Sequence, residues 1–216
     1  MKGHKKIMKV LALNGSSHSH GVTYAALKVV ADELKEQGID TEIIHVGSRP
    51  IGGCVDCRKC RTDHRCSYND QVNEIIDRLD EFDGIILGAP AHYMGIPGTF
   101  KAFLDRFFYA TEHLEGHTHL VCSAITVCRR AGAIDTFHQL NNYFACSNQV
   151  VIGSQYWNVV FGWKPDEFLE QDVEGVQTLK VLSGNIAWAL KVIDATKDTI
   201  PHPVIKEKRT RTNFCR

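Results

Sequence analysis

Four cysteines, Cys54, Cys57, Cys60 and Cys66, stand within thirteen positions in the stretch GGCVDCRKCRTDHRC. Thiols this close can form a disulfide knot, chelate zinc, hold an iron–sulfur cluster, or be unrelated small residues. The start of the chain, MKGHKKIMKV, is basic, but no apolar secretory core follows it, which points to a cytoplasmic protein. Disulfides are poorly suited to that compartment. The spacing C-x2-C-x2-C-x5-C also differs from the two separated pairs that usually bring four ligands around one zinc ion. Three cysteines at successive three-residue steps suit one face of an iron–sulfur cube, and the fourth closes it. Arg58, Lys59, Arg61 and Arg65 would offset the charge of four thiolates. Zinc and free, redox-labile thiols remain readings of the same residues. Cys122, Cys128 and Cys146 lie in or beside apolar or helical runs and are expected to be small buried residues; Cys215 lies in the tail.

A second group of residues suits an anion. NGSSHSHGVT, residues 14–23, places Ser16, Ser17, Ser19 and Thr23 between an apolar run and a helical one. Backbone N–H groups and a helix dipole at such a junction favour phosphate, and His18 and His20 can add charge or a hydrogen bond. The loop lacks the lysine of a triphosphate-binding motif and the G-x-G-x-x-G of a dinucleotide site, so a monophosphate fits better. GAPAHYMGIPGTFKAFLDRF offers Pro90, an aromatic pair, the soft Met94 and two glycine-containing turns, which suit a flat heterocycle. CRRAGAIDTF adds Arg129 and Arg130 ahead of Gly132, charges that could meet a cofactor edge or a nicotinamide phosphate.

The elements that must carry these loops alternate. KIMKVLALNG, DTEIIHV, GIILGAP, HLVCSAITV and QVVIG read as five strands. Between and after them, helices are expected in VTYAALKVVADELKEQG, with Val22, Ala26, Val29, Val30 and Leu34 on one face, in NDQVNEIIDRLDEFD, with Val72, Ile75, Ile76 and Leu79, in PGTFKAFLDRFFYA, in AIDTFHQLNNYFAC and in VEGVQTLKVLSGNIAWALKVI. Asn69 or Asp70 would cap the second of these, and the cysteine segment is a long loop before it. Apolar strands in strict alternation with helices predict an α/β fold: a doubly wound five-stranded parallel sheet, order 2-1-3-4-5, with helices on both faces. Ligands then bind beyond the carboxyl ends of the strands, near the switch between strands 1 and 3.

Taken together, NGSSHSHGVT and GAPAHYMGIPGTFKAFLDR resemble the NAD(P)H-dependent FMN reductases of the flavodoxin-like superfamily, over about Met8 to Arg106 and more loosely through RRAGAIDTFHQL and the final helix. The resemblance implies that Ser16, His18, Gly21, Val22 and Thr23 hold the FMN phosphate. It also implies that Pro90, Ala91, His92, Tyr93, Met94 and Gly95 line the isoalloxazine, and that Arg130 and Gly132 sit in the third loop. His18 stands where the family often has arginine and Val22 where it often has asparagine. The cysteine spacing resembles the iron–sulfur flavoproteins of the same superfamily, which carry FMN and a [4Fe–4S] cluster; there Cys54, Cys57, Cys60 and Cys66 would be the metal ligands. Related FMN reductases also have cysteine-rich versions of this loop without a cluster. NAD(P)H as co-substrate follows from the resemblance, with electrons passing to a flavin, quinone or other small acceptor. The alternative is an electron-transfer module with ferredoxin as partner. No side chain is assigned as catalytic acid or base, because the flavin carries the chemistry.

The bulk properties are those of a globular chain. The 216 residues are 44% hydrophobic and 23% charged, and no run approaches the ~18–20 apolar residues of a membrane helix. Lys plus Arg equal Asp plus Glu at 25 each, a formal net charge of zero, so no electrostatic case exists for nucleic acid. No cysteine has an arginine six positions later, which removes the C-x5-R phosphatases of similar fold. One domain over 1–216 is expected, with a cysteine-rich loop at 52–68 and a basic, solvated tail from about 197. The aromatic segments FFYA and SQYWNVVFGW would leave apolar patches on a monomer; relatives form dimers or tetramers, so a homodimer or homotetramer is expected.

Overall fold

In the computed structural model, residues 7–112, 114, 117–204, 210 and 212 are described. Three central strands carry the fold: β1 (Lys9–Asn14), β3 (Gly84–Pro90) and β4 (Val121–Cys128). They are buried along almost their whole length, as continuous apolar runs in a two-sided parallel sheet must be. β2 (Asp40–His45) flanks β1, and β5 (Val150–Val151) flanks β4. All pairings between strands are parallel and the order is β2-β1-β3-β4-β5, as the alternation predicted.

Side chains of one strand point to opposite faces. Val10 and Ala12 pack with α1 (Val22–Glu36) and α7 (Val173–Thr196) through Val30, Leu34, Leu182 and Ile186. Leu11 and Leu13 face the other layer, built by α3 (Gln71–Ile76), α4 (Gly98–Thr111) and α5 (Ala133–Cys146) through Val72, Phe103, Phe107 and Phe144. No described helix is long and apolar enough to cross a membrane.

Five expectations need correction. A sixth strand, β6 (Val159–Phe161), pairs with Thr126–Cys128 of β4 beyond the two-residue β5. The edge of the sheet is therefore one strand interrupted by residues 152–158, and three residues flanked by Asn158 and Gly162 are too few to show a period. α6 (Pro165–Gln171) follows it. α3 stops at Ile76, and Leu79 enters the core from a separate 3₁₀ turn, Leu79–Glu81; of the two candidate caps, Asp70 is the one whose side chain accepts the Val72 N–H. The cysteine segment contains a one-turn helix, α2 (Cys60–Asp63). The FFYA segment is not an apolar patch, because Phe107 and Phe108 are buried in an aromatic stack with Phe103, Tyr143 and Phe144. Most of the basic tail, from Ile205 on, lies outside the described residues.

Candidate functional site

The loops after β1, β3 and β4 meet at one edge, because the three strands are neighbours and parallel. Gly15 N–H donates to the Gly88 carbonyl at 2.8 Å, continuing the ladder past β1. A side chain at Gly15 would enter the Phe100 ring, 2.0 Å from the place of its Cβ. Beyond it the chain is wound by Asn14, which is fully buried. Its Oδ1 accepts the Ser16 N–H at 3.1 Å and its Nδ2 donates to the Ser19 carbonyl at 3.1 Å. Ser16 Oγ accepts the His18 N–H, also at 3.1 Å. α1 begins at Val22 with Gly21 as cap, and no side chain bonds to its first turn. Its leading N–H groups and positive dipole end are therefore free for an anion. Ser16, Val22 and Thr23 are buried and His18 is exposed. Val22 and Thr23 thus offer backbone N–H groups to this edge, while the Val22 side chain packs in the core.

After β3 the chain turns back on itself. His92 and Gly95 exchange both backbone hydrogen bonds, at 2.9 and 3.2 Å. The residues between them, Tyr93 (φ 46°) and Met94 (φ 64°), are both left-handed. Two positive-φ residues make a tight turn of the I′ kind, which glycine or asparagine normally fills. Tyr93 is 96% exposed and Met94 56%, so the fold holds an aromatic and a thioether in a strained conformation in the open. Pro90 and Ala91 are half-buried at its base. Gly132, at φ 88°, caps α5 and closes against this turn; a Cβ there would lie 2.9 Å from Met94 Sδ and 3.5 Å from Ala91.

Arg130 is the residue expected to meet a cofactor edge or a nicotinamide phosphate. It lines, with Gly132, a cavity of about 370 Å³ walled by Ile134, Tyr156, Trp157 and Phe161. The exposed aromatics expected in SQYWNVVFGW are present: Tyr156, Trp157, Phe161 and Trp163 all stand open. Arg129 lies over the Trp163 ring.

Cys54, Cys57, Cys60 and Cys66 line one small cavity together with Ser67, Tyr68, Arg106 and Tyr109. Among the described residues no three His, Cys, Asp or Glu side chains are grouped so as to hold a metal ion; the four sulfurs border a space. The loop is bent by left-handed Asp56, Arg58 and His64. Its anchor is Arg106 of α4, fully buried. The guanidinium grips both Asp70 oxygens at 2.7 and 2.8 Å and donates through Nε to Cys66 Sγ at 3.1 Å. It also reaches the carbonyls of Gly52 and Tyr68. Burial works against its charge, but the bonds to Asp70 and Cys66 outweigh it and hold the arginine protonated. Asn73 clamps Cys66 from the other side, accepting its N–H and donating to its carbonyl. The thiols differ in acidity. The Ser67 hydroxyl and the Lys59 N–H draw Cys57 below the usual thiol range, whereas burial pushes Cys60 up. Cys122 and Cys128 are buried as expected; Cys146 is exposed at the last turn of α5, a correction that follows from its helix face meeting a groove shared with Cys54 and Tyr109.

The model of the NADPH-dependent FMN reductases matches residues 8–164. The chain belongs to that family. As a member it is a flavoprotein and an FMN-dependent NAD(P)H oxidoreductase. It is 27% identical over 197 residues to an iron–sulfur flavoprotein of Methanocaldococcus jannaschii, covering 86% of this chain and 99% of that one. It is 24% identical over 196 residues to an iron–sulfur flavoprotein of Methanosarcina thermophila, covering 88% and 100%. Its fold is similar to that of RosB holding 8-demethyl-8-formylriboflavin-5'-phosphate, with a TM-score of 0.69 at 12% identity over 97% of this chain and 94% of that one.

The FMN of this family fits the chain on geometric grounds. An uncapped helix start and a wound serine loop suit a phosphate, and the Tyr93–Met94 turn beside them suits a ring. Residue-by-residue reading missed Arg106, Asn73 and His45. Arg106 had a signal, the FLDR that ends the second motif, but its partner Asp70 stands 36 positions earlier. Asn73 looks like any polar position of a helix.

Proposed function

We propose that this FMN reductase takes electrons from NAD(P)H and passes them to a small acceptor such as a flavin or quinone, from one flavodoxin-like domain. The observation that carries this reading is the uncapped start of α1 set beside the exposed Tyr93–Met94 turn on one sheet edge. FMN, when bound, would supply the chemistry by accepting hydride from the nicotinamide and releasing electrons to the acceptor. The chain holds and orients it. Ser16, His18, Gly21, Val22 and Thr23 would surround the phosphate, with the Val22 and Thr23 N–H groups at the start of α1 as its backbone donors. Pro90, Ala91, His92, Tyr93, Met94 and Gly95 border the ring, and Gly132 backs the turn. Arg130 faces the aromatic cavity and is there to meet an anionic group of a substrate. No side chain is assigned a proton transfer.

A second reading adds a [4Fe–4S] cluster on Cys54, Cys57, Cys60 and Cys66, with ferredoxin as electron partner. It is favoured by the four cysteines around one cavity, a donor set of thiolates that suits iron, and by the names of the relatives. The open aromatics Tyr156, Trp157, Phe161 and Trp163 support association into a homodimer or homotetramer, for which sedimentation at several concentrations is the test; a monomer at all of them removes that part.

Purification without oxygen, followed by absorbance, flavin and iron analysis and NADPH and NADH oxidation, tests both readings. FMN with NAD(P)H-dependent acceptor reduction and no iron leaves the reductase alone. About four irons per chain add the cluster. Protein that cannot take up FMN overturns the proposal.

A further inference from the structure

Behind the serine loop, the end of β2 is pressed against a single peptide unit. His45 Nε2 lies 2.7 Å from the Ser16 carbonyl oxygen. A carbonyl only accepts, so Nε2 carries the proton and the tautomer is fixed. Two residues on, a Cβ at Gly47 would lie 1.9 Å from the same oxygen, so the end of β2 and the turn after it form a close-fitting mould for this carbonyl. The C=O and N–H of one trans peptide point in opposite directions. Holding the Ser16 carbonyl toward His45 therefore turns the Ser17 N–H away from β2, to the open side of the loop. The loop's other bonds leave that N–H out: Asn14 takes Ser16 N–H, Ser16 Oγ takes His18 N–H, and His18 O takes Gly21 N–H.

His45 is itself held. Gln71 Nε2 donates to its carbonyl at 2.9 Å, and Val46 N–H donates to the Asn14 carbonyl at 2.9 Å. Gln71 is the first residue of α3, the short helix whose cap Asp70 grips Arg106 and whose Asn73 clamps Cys66. One rigid turn thus touches the cysteine loop with one side and His45 with the other.

We propose that His45, set by Gln71, is a positioning residue that aims the Ser17 N–H at the phosphate of the flavin, and that α3 links this end of the site to the cysteine loop. The inference rests on the reading that the serine loop holds the FMN phosphate. The imidazole touches neither flavin nor substrate; it acts through the Ser16–Ser17 peptide.

Affinity for FMN and for riboflavin, which lacks the phosphate, separates this role from a merely structural one. Both are measured by flavin fluorescence on the flavin-stripped full chain and on His45→Leu, His45→Gln and Gln71→Ala. His45→Leu is expected to weaken FMN about 3- to 10-fold, the range of one lost neutral hydrogen bond, with riboflavin unchanged. His45→Gln, which keeps a donor near Nε2, restores FMN binding to within about 2-fold of the parent. Gln71→Ala gives a smaller loss, again confined to FMN. Equal weakening of FMN and riboflavin, or no weakening in His45→Leu, overturns the proposal while leaving the flavin reading in place. A parent protein that binds neither flavin defeats the flavin reading itself.

Discussion

At the scale of single residues, the cysteine loop is four thiols in different surroundings. Cys57 is exposed and its thiolate is favoured by Ser67 and Lys59, while Cys60 is buried and kept protonated. Since the thiolate is the reactive form, brief iodoacetamide treatment of metal-stripped protein at neutral pH should label Cys57 well before Cys60. Ser67→Ala should slow Cys57 and leave the other sites alone; equal rates at Cys57 and Cys60 would contradict the assignment. Arg106 is a buried cation whose removal strands Asp70. Asp70 is about one-third exposed, so losing this charged hydrogen-bonded pair costs about 1.5–3 kcal/mol, and Arg106→Met should lower the melting temperature and open the loop to trypsin. Arg106→Lys should recover only part of this, because an ammonium cannot hold both Asp70 oxygens and Cys66 in one plane. A lysine variant that melts with the parent would mean that charge alone suffices.

At the scale of elements, the turn between β3 and α4 holds Tyr93 and Met94 where glycine is the comfortable choice. Each such position stores about 1 kcal/mol or more, a cost borne where a ligand is to be met. Met94→Gly should therefore raise the melting temperature while weakening flavin binding, a stability–function trade visible by calorimetry and flavin titration on the same sample. A variant that gains stability and keeps full affinity would show that Met94 has no part in the site. Gly132→Ala works in the opposite direction: at φ 88° and with Met94 Sδ only 2.9 Å from the new methyl, it should destabilise and displace the turn together.

At the scale of the whole molecule, the far end of the sheet is tied by a charge network. Arg78 holds Glu42 with two bonds of 2.8 Å and also binds Glu81, while Lys9 bridges the same two carboxylates. Arg78 first, with Lys9 in support, holds Glu42 below the usual carboxylate range and takes Glu81 down to about 2. Folded pKa values below the unfolded ones mean that this contribution is complete above about pH 4.3 and is lost as pH falls toward 2. The gap in melting temperature between the parent and Arg78→Met should be widest near neutral pH, shrink through that window, and shrink with salt. A gap independent of pH would assign Arg78 a packing role instead.

How much was legible depended on how local the cause was. Strand order followed from apolar runs in alternation with helices, since parallel neighbours need crossovers and covered faces. The serine loop, the aromatic and soft residues after β3 and the cysteine spacing could be read because their chemistry lies in adjacent residues; the left-handed turn at Tyr93 and Met94 could not. The sequence by itself determined the order of the first five strands and the three loops that share an edge, but not β6. Only the tertiary structure decided that Arg106 and Asn73 clamp the cysteine loop, that His45 backs the Ser16 carbonyl, that Arg130 faces an aromatic cavity and that Cys146 is exposed. Each of these depends on the direction of a side chain relative to an element tens of positions away. Packing sets that direction, and periodicity carries no trace of it.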